Sequence, residues 1–84
     1  MDTSLTKIKQ NVFKLCSKLL SNEHNIDEDE DLFLLGLSSL DFLKLITSIE
    51  KTYNVNFDEN ILFNVNVTLN TINKISNYIY DYKD

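Results

Sequence analysis

Asp31-Leu32-Phe33-Leu34-Leu35-Gly36-Leu37-Ser38-Ser39-Leu40-Asp41 is the stretch on which the reading of this chain turns. It joins an apolar anchor, the chain's only glycine and a pair of serines to the start of an amphipathic pattern. Ser38 is placed to open a helix. Its hydroxyl can accept from the Asp41 N–H while Asp41 reaches back toward the Ser38 N–H, a capping box with Asp in the place of Glu or Gln. Leu40, Leu43, Ile46, Ile49 and Tyr53 follow at steps of three, three, three and four, with Phe42 and Leu45 widening the face. That spacing predicts a helix to about Tyr53 with this face inward. If Leu43 belongs to the core, its truncation to Ala costs about 2–4 kcal/mol. Ser39 falls in the first turn, where unpaired N–H groups and the helix dipole favour a phosphate. Chemistry alone leaves two readings for Ser38 and Ser39, cap residues or a modification site, and capping is the commoner role of such serines.

Upstream, Ile8, Val12, Leu15, Cys16, Leu19 and Leu20 recur at threes and fours, predicting an amphipathic helix from Leu5 to Leu20 capped by Thr3 or Ser4. Residues 21–38 are polar, then acidic, and carry Ile26, Leu32, Phe33, Leu34, Leu35 and Leu37, so they read as a long loop pinned to the core by hydrophobic side chains. Downstream, residues 54–56 break the second helix, and residues 58–64 predict one short helical turn with Ile61, Leu62 and Phe63 inward. Residues 65–69 alternate like a strand, yet a lone strand has no partner, so they are expected to be extended chain. Asn70 or Thr71 then caps a last helix that buries Ile72, Ile75, Ile79 and Tyr82, with Tyr78 beside them.

These elements make an all-α fold. One glycine and no proline in 84 residues remove the usual markers of tight-turned β structure. The expected architecture is a single domain, residues 1–84, of three main helices plus one short helix, with a long connection between the first two. No apolar run approaches the roughly 20 residues that span a bilayer, and the first residues do not read as a secretory signal, so the expected location is cytoplasmic.

Charge narrows the function. The net charge is -5, from 8 lysines and 13 acids with no arginine, which repels a phosphate backbone and argues against nucleic-acid binding. Residues 21–31 hold six acids and no base, so the negative field is concentrated there. Asp27, Asp29 and Asp31 take the first three alternating positions of a calcium loop, but Leu32 and Ser38 stand where that loop needs Gly and a bidentate Glu. A solvated loop surface, with a secondary capacity to meet basic partners, is the better reading. Cys16 lies on the apolar stripe of the first helix, and His24 has no evident orienting group, so neither reads as catalytic, and one cysteine with one histidine makes no metal site.

The central stretch resembles the attachment region of the phosphopantetheine-dependent acyl and peptidyl carrier proteins, whose pattern is Gly-x-Asp-Ser-Leu in an Asp-Leu-Phe context. Gly36-Leu37-Ser38-Ser39-Leu40, preceded by Asp31-Leu32-Phe33, matches it. Glu50-Lys51-Thr52-Tyr53-Asn54-Val55-Asn56-Phe57 resembles that family's second-helix end, and Thr71-Ile72-Asn73-Lys74-Ile75-Ser76-Asn77-Tyr78-Ile79 its final helix. The resemblance implies an acyl-carrier-like bundle that is not an enzyme. It implies that a phosphopantetheinyl transferase, using coenzyme A and Mg²⁺, places 4′-phosphopantetheine on Ser39. An acyl- or aminoacyl-loading ligase and downstream biosynthetic enzymes would then use the arm's thiol, with the carrier a monomer. Ser38 departs from the pattern, where acyl carriers commonly have Asp and many peptidyl carriers His.

Between Ser39 and Tyr53, Asp41 and Glu50 are balanced by Lys44 and Lys51, whereas fatty-acid carriers are typically acidic there. Partner docking is therefore expected to lean on Leu37, Leu40, Phe42 or Leu43, whichever are exposed, together with Ser38, Asp41 and Lys44, with apolar contact outweighing charge steering. The balance favours a specialised pathway of nonribosomal peptide or polyketide type over a housekeeping fatty-acid carrier. The alternative outside the carrier class is a helical protein-interaction module that lays Leu40, Leu43 and Ile46 into a partner groove.

Overall fold

The computed structural model describes residues 4–20 and 26–83, with the Lys83 side chain left out. His24 and Thr3 lie outside the described residues. The elements are α1 (Leu5–Leu20), α2 (Ser39–Tyr53), α3 (Glu59–Phe63), α4 (Val65–Thr68) and α5 (Ile72–Lys83).

Ser4 opens α1, its Oγ accepting from the Lys7 N–H at 3.3 Å. Ile8, Val12 and Cys16, four apart, are fully buried, and Leu15 and Leu19 flank them at the edge of the core. That stripe packs along α5 and against α2. From α5 it meets Ile72, Ile75 and Ile79, all buried as expected. The Asn11 Nδ2 donates to the Tyr53 hydroxyl at 2.7 Å and ties α1 to the end of α2.

The boundaries of α2 are as expected, but its buried face is rotated. Phe42, Leu45, Ile46, Ile49 and Tyr53 are buried, whereas Leu40 and Leu43 are 64% and 57% exposed. The cause is geometric. Each step of three residues falls about 60° short of a full helical turn, so the series from Leu40 through Leu43 to Ile46 winds across the surface. The set Phe42, Ile46, Ile49, Tyr53 alternates fours and threes and stays on one side. Phe42 is held inward by Phe33, whose ring lies 5.2 Å away, centroid to centroid.

After α2, Asn54 adopts the left-handed conformation (φ 55°) that ends a helix, and Val55 and Phe57 are buried. Asp58 caps α3 by accepting from the Asn60 N–H at 2.7 Å. Of the three residues expected inward there, Ile61 and Leu62 pack against the core but Phe63 is 87% exposed. Residues 65–68 form a helical turn rather than extended chain. An extended segment without a neighbour would leave its N–H groups unpaired. Here the Val67 and Thr68 N–H groups both donate to the Asn64 carbonyl at 2.9 Å, and the Thr68 hydroxyl donates to the Ile61 and Asn64 carbonyls.

Thr71 caps α5, its Oγ1 accepting from the Lys74 N–H at 3.0 Å. Tyr82, expected on the buried face, is 49% exposed in the last turn of α5, outside the core cluster that ends at Ile79. It stacks on Tyr78, which stacks in turn on Phe57 at 4.7 Å. The Tyr78 hydroxyl donates to the Asn56 carbonyl and accepts from the Asp58 N–H, so this aromatic ladder serves the α2–α3 connection.

The long loop is pinned by Ile26, Leu32 and Leu37, all buried, while Leu34 and Leu35 point outward. It is also stitched to the start of α5. The Leu32 N–H donates to the Asn70 carbonyl at 2.7 Å and the Asn73 N–H to the Glu28 carbonyl at 2.9 Å.

Candidate functional site

The loop delivers Ser39 to the surface through a turn made by its own backbone. The Leu35 N–H donates to the Asp31 carbonyl, that of Gly36 to Phe33, and that of Leu37 to Leu32, at 3.1–3.2 Å. Gly36 sits at φ +110°, a conformation that L side chains rarely adopt, which explains the chain's one glycine. Asp31 caps the turn, its Oδ1 accepting from the Phe33 and Leu34 N–H groups at 2.9 and 3.3 Å. Its Oδ2 accepts from Asn70 Nδ2 at 2.9 Å. Chiefly through the Asn70 hydrogen bond, its carboxyl is held below the ordinary value despite partial desolvation, with the Leu34 and Phe33 amides and the Lys74 charge adding to the effect.

The two serines divide the work. Ser38 is the N-cap of α2, and its Oγ accepts from the Asp41 N–H at 3.1 Å. Ser39, the first helical residue, is exposed, and its hydroxyl has no hydrogen-bond partner among the described residues. The Phe42 N–H bonds back to the Ser38 carbonyl and the Asp41 N–H to the Ser38 side chain, leaving the Ser39 and Leu40 N–H groups at the open end. A phosphodiester on Ser39 would meet two free donors and the positive end of a 15-residue helix.

The surroundings are apolar. Phe33, Phe42, Leu43, Leu62 and Val65 line a cavity of about 240 Å³ that Ser39 borders. Beside it, Leu40, Leu43, Lys44, Thr47 and Ser48 line a shallower groove. Leu34, Leu40, Leu43, Phe63 and Val67 are exposed apolar side chains contributed by the loop and by α2, α3 and α4. Of the docking residues expected from sequence, Ser38, Leu40, Leu43 and Lys44 are exposed and Asp41 half-buried. Leu37 and Phe42 are only 3% and 2% exposed and offer a partner no surface, because Leu37 is one of the pins of the loop and Phe42 packs inward against Phe33. Leu34, Phe63 and Val67 are exposed apolar side chains outside that expected set. Leu34 carried a signal, since it lies in a run of consecutive apolar residues that a narrow turn cannot all bury.

The remaining candidates have local duties. Cys16 is fully buried, and burial pushes its thiol up to about 12, which keeps it protonated and unreactive. In the acidic stretch, Asp27 accepts from the Asp29 N–H, Glu30 from the Asp27 N–H, and Asp29 from Asn73 Nδ2. Glu28 pairs with Lys9 at 3.2 Å. These carboxylates shape the loop and join it to α1 and α5.

An exposed serine with a free hydroxyl at a helix start, set beside an apolar cavity, fits a group joined through a phosphodiester. The family model described as a phosphopantetheine attachment site matches residues 10–79. The chain therefore belongs to the phosphopantetheine-binding family. It is a carrier protein domain, and its cofactor is covalently attached 4′-phosphopantetheine. Among solved structures it is similar to the NMR structure of an HMG-ACPI domain from the CurA module of Lyngbya majuscula. The TM-score is 0.77 at 30% identity, over 95% of this chain and 78% of that one. No curated protein matches. Among the described residues, no helix is long and apolar enough to cross a membrane.

Proposed function

We propose that Ser39 carries the phosphopantetheine arm and that the chain, as a single non-catalytic carrier domain, presents acyl or aminoacyl intermediates to the enzymes of a specialised pathway of nonribosomal peptide or polyketide type. The observation that carries the Ser39 assignment is the division of labour at the start of α2. Ser38 already supplies the cap, so the neighbouring hydroxyl is left exposed and unengaged. When bound, the arm supplies what no side chain can, a reactive thiol on a long flexible tether. The protein's part is to hold the attachment point at a helix start that tolerates a phosphate, and to frame it with surfaces that partners recognise.

Those partners are a phosphopantetheinyl transferase, a loading ligase and downstream biosynthetic enzymes, which meet a monomer in the cytoplasm. Leu40, Leu43 and Lys44 on α2, joined by Leu34, Phe63 and Val67, form the docking surface, with Ser38 and Asp41 at its edge. The specialised assignment is supported by the balanced charge of α2, with Asp41 and Glu50 against Lys44 and Lys51, and by likeness to a domain of the CurA module. A housekeeping fatty-acid carrier would be expected to present an acidic second helix.

The test is intact-protein mass spectrometry after incubation with coenzyme A, Mg²⁺ and a broad-specificity phosphopantetheinyl transferase. The wild type is expected to gain one phosphopantetheine and folded Ser39→Ala none. Transfer to the Ser39→Ala variant would move the site elsewhere.

A further inference from the structure

Three side chains join two of the segments that line the cavity Ser39 borders. The loop contributes Phe33, on the turn that Asp31 caps, and α4 contributes Val65. Between α4 and α5 lies Asn70, and all its polar atoms that face the loop and α5 are engaged. Its carbonyl accepts from the Leu32 N–H, its Nδ2 donates to Asp31 Oδ2 at 2.9 Å, and its Oδ1 accepts from Lys74 Nζ at 3.0 Å. Lys74 Nζ also donates to the Val67 carbonyl at 2.8 Å, at the end of α4. An ammonium has only donors and a carboxylate only acceptors. Lys74 on one side and Asp31 on the other therefore admit a single orientation of the Asn70 carboxamide.

We propose that Asn70 is a positioning residue: oriented by Lys74, it clasps Asp31 and so ties the turn that carries Phe33 to the segment that carries Val65, both at the cavity beside Ser39. Asp31 and Asn70 are half-buried and Lys74 is exposed, and the bonds of Asn70 to Asp31 and Lys74 are charge-assisted, so the clasp is stronger than a neutral surface contact without being part of the apolar core. Releasing it frees the turn that runs from Asp31 into the α2 cap while leaving the contacts of α1 with α5 in place. The consequence for partners rests on the Ser39 reading. A transferase that needs the turn in its ordered form binds more weakly when that form is less populated, so KM rises and kcat stays unchanged.

Amide hydrogen exchange tests the clasp without reference to the arm. In Asn70→Ala, the Leu35, Gly36 and Leu37 amides are expected to exchange about tenfold faster, the loss of one hydrogen bond to a charged group, while Ile46 and Ile75 amides are unchanged. Asn70→Asp, which sets two carboxylates together, is expected to exceed that effect. The exchanged pair Asp31→Asn with Asn70→Asp restores a donor facing a carboxylate, and loop protection is expected to return. With the transferase and coenzyme A, Asn70→Ala is expected to show KM raised at constant kcat, by less than the tenfold seen in exchange because KM follows the ordered fraction and exchange the open one, and this is reversed in the exchanged pair. Unchanged loop protection in Asn70→Ala overturns the clasp. So does faster exchange spread equally over loop and core with no recovery in the exchanged pair, because Asn70 would then be only a stability residue. An altered kcat at constant KM overturns the positioning role. If wild-type protein accepts no arm while loop exchange responds as expected, the Ser39 assignment fails and the clasp stands.

Discussion

The α1–α5 side of the molecule and the Ser39 side are built from similar residues to opposite ends. Between α1 and α5, Ile8, Val12, Cys16, Ile75 and Ile79 are all fully buried. The loop and α2, α3 and α4 leave Leu34, Leu40, Leu43, Phe63 and Val67 in solvent, and Phe33 and Val65 are among the residues that line the cavity Ser39 borders. Such side chains are not kept outside for stability's sake, since burying each would contribute about 1.5–3 kcal/mol. One side holds the fold, and the other is the side that the proposed function assigns to cargo and partners. In a domain this small both needs are met around one core.

The comparison breaks most readily at Ile75. Ile75→Ala is expected to cost about 2–5 kcal/mol, because α1 and α2 cannot close fully over the void. A shift in the urea midpoint worth less than 1 kcal/mol would mean that the α1–α5 side is not the stabilising half. Next comes Gly36→Ala, which should cost about 1–2 kcal/mol. No atom lies within 4 Å of the added methyl, so the whole penalty is backbone strain at φ +110°. An unaltered midpoint would show that the turn relaxes freely.

Asp31 sharpens the contrast through pH. Its carboxyl is lowered in the fold, so its contribution is present above its ordinary value of about 4 and fades as the pH falls through the lower folded value. Asp31→Asn is therefore expected to be less stable at neutral pH and to show a flatter loss below about pH 4 in acid titration followed by circular dichroism. An acid limb as steep as the wild type's would place the stabilising carboxylates elsewhere. The smallest effect on stability is expected of Leu43→Ala, within about 0.5 kcal/mol, since its side chain is mostly in solvent. That value replaces the 2–4 kcal/mol expected of a core leucine. The same variant should slow arm transfer to Ser39, and wild-type transfer kinetics would remove Leu43 from the docking surface.

Local pattern determined a great deal here. The bounds of α1 and α2, the cap at Ser38, the α3 turn and the last helix were legible because capping and helical spacing act within a few residues of the chain. So was the placement of Ser39 in the first turn of α2, which follows from the cap at Ser38. Tertiary structure alone decided which way α2 faces, since its apolar residues cover more than half the circumference and only Phe33 and the α1 side select Phe42 and Leu45 over Leu40 and Leu43. It also decided that residues 65–68 coil, because an alternating segment becomes a strand only where another strand offers partners. Nor could spacing join Asp31 to Asn70, 39 positions apart, into one clasp beside Ser39. Periodicity describes how a segment would bury itself, and what it buries against comes from the rest of the fold.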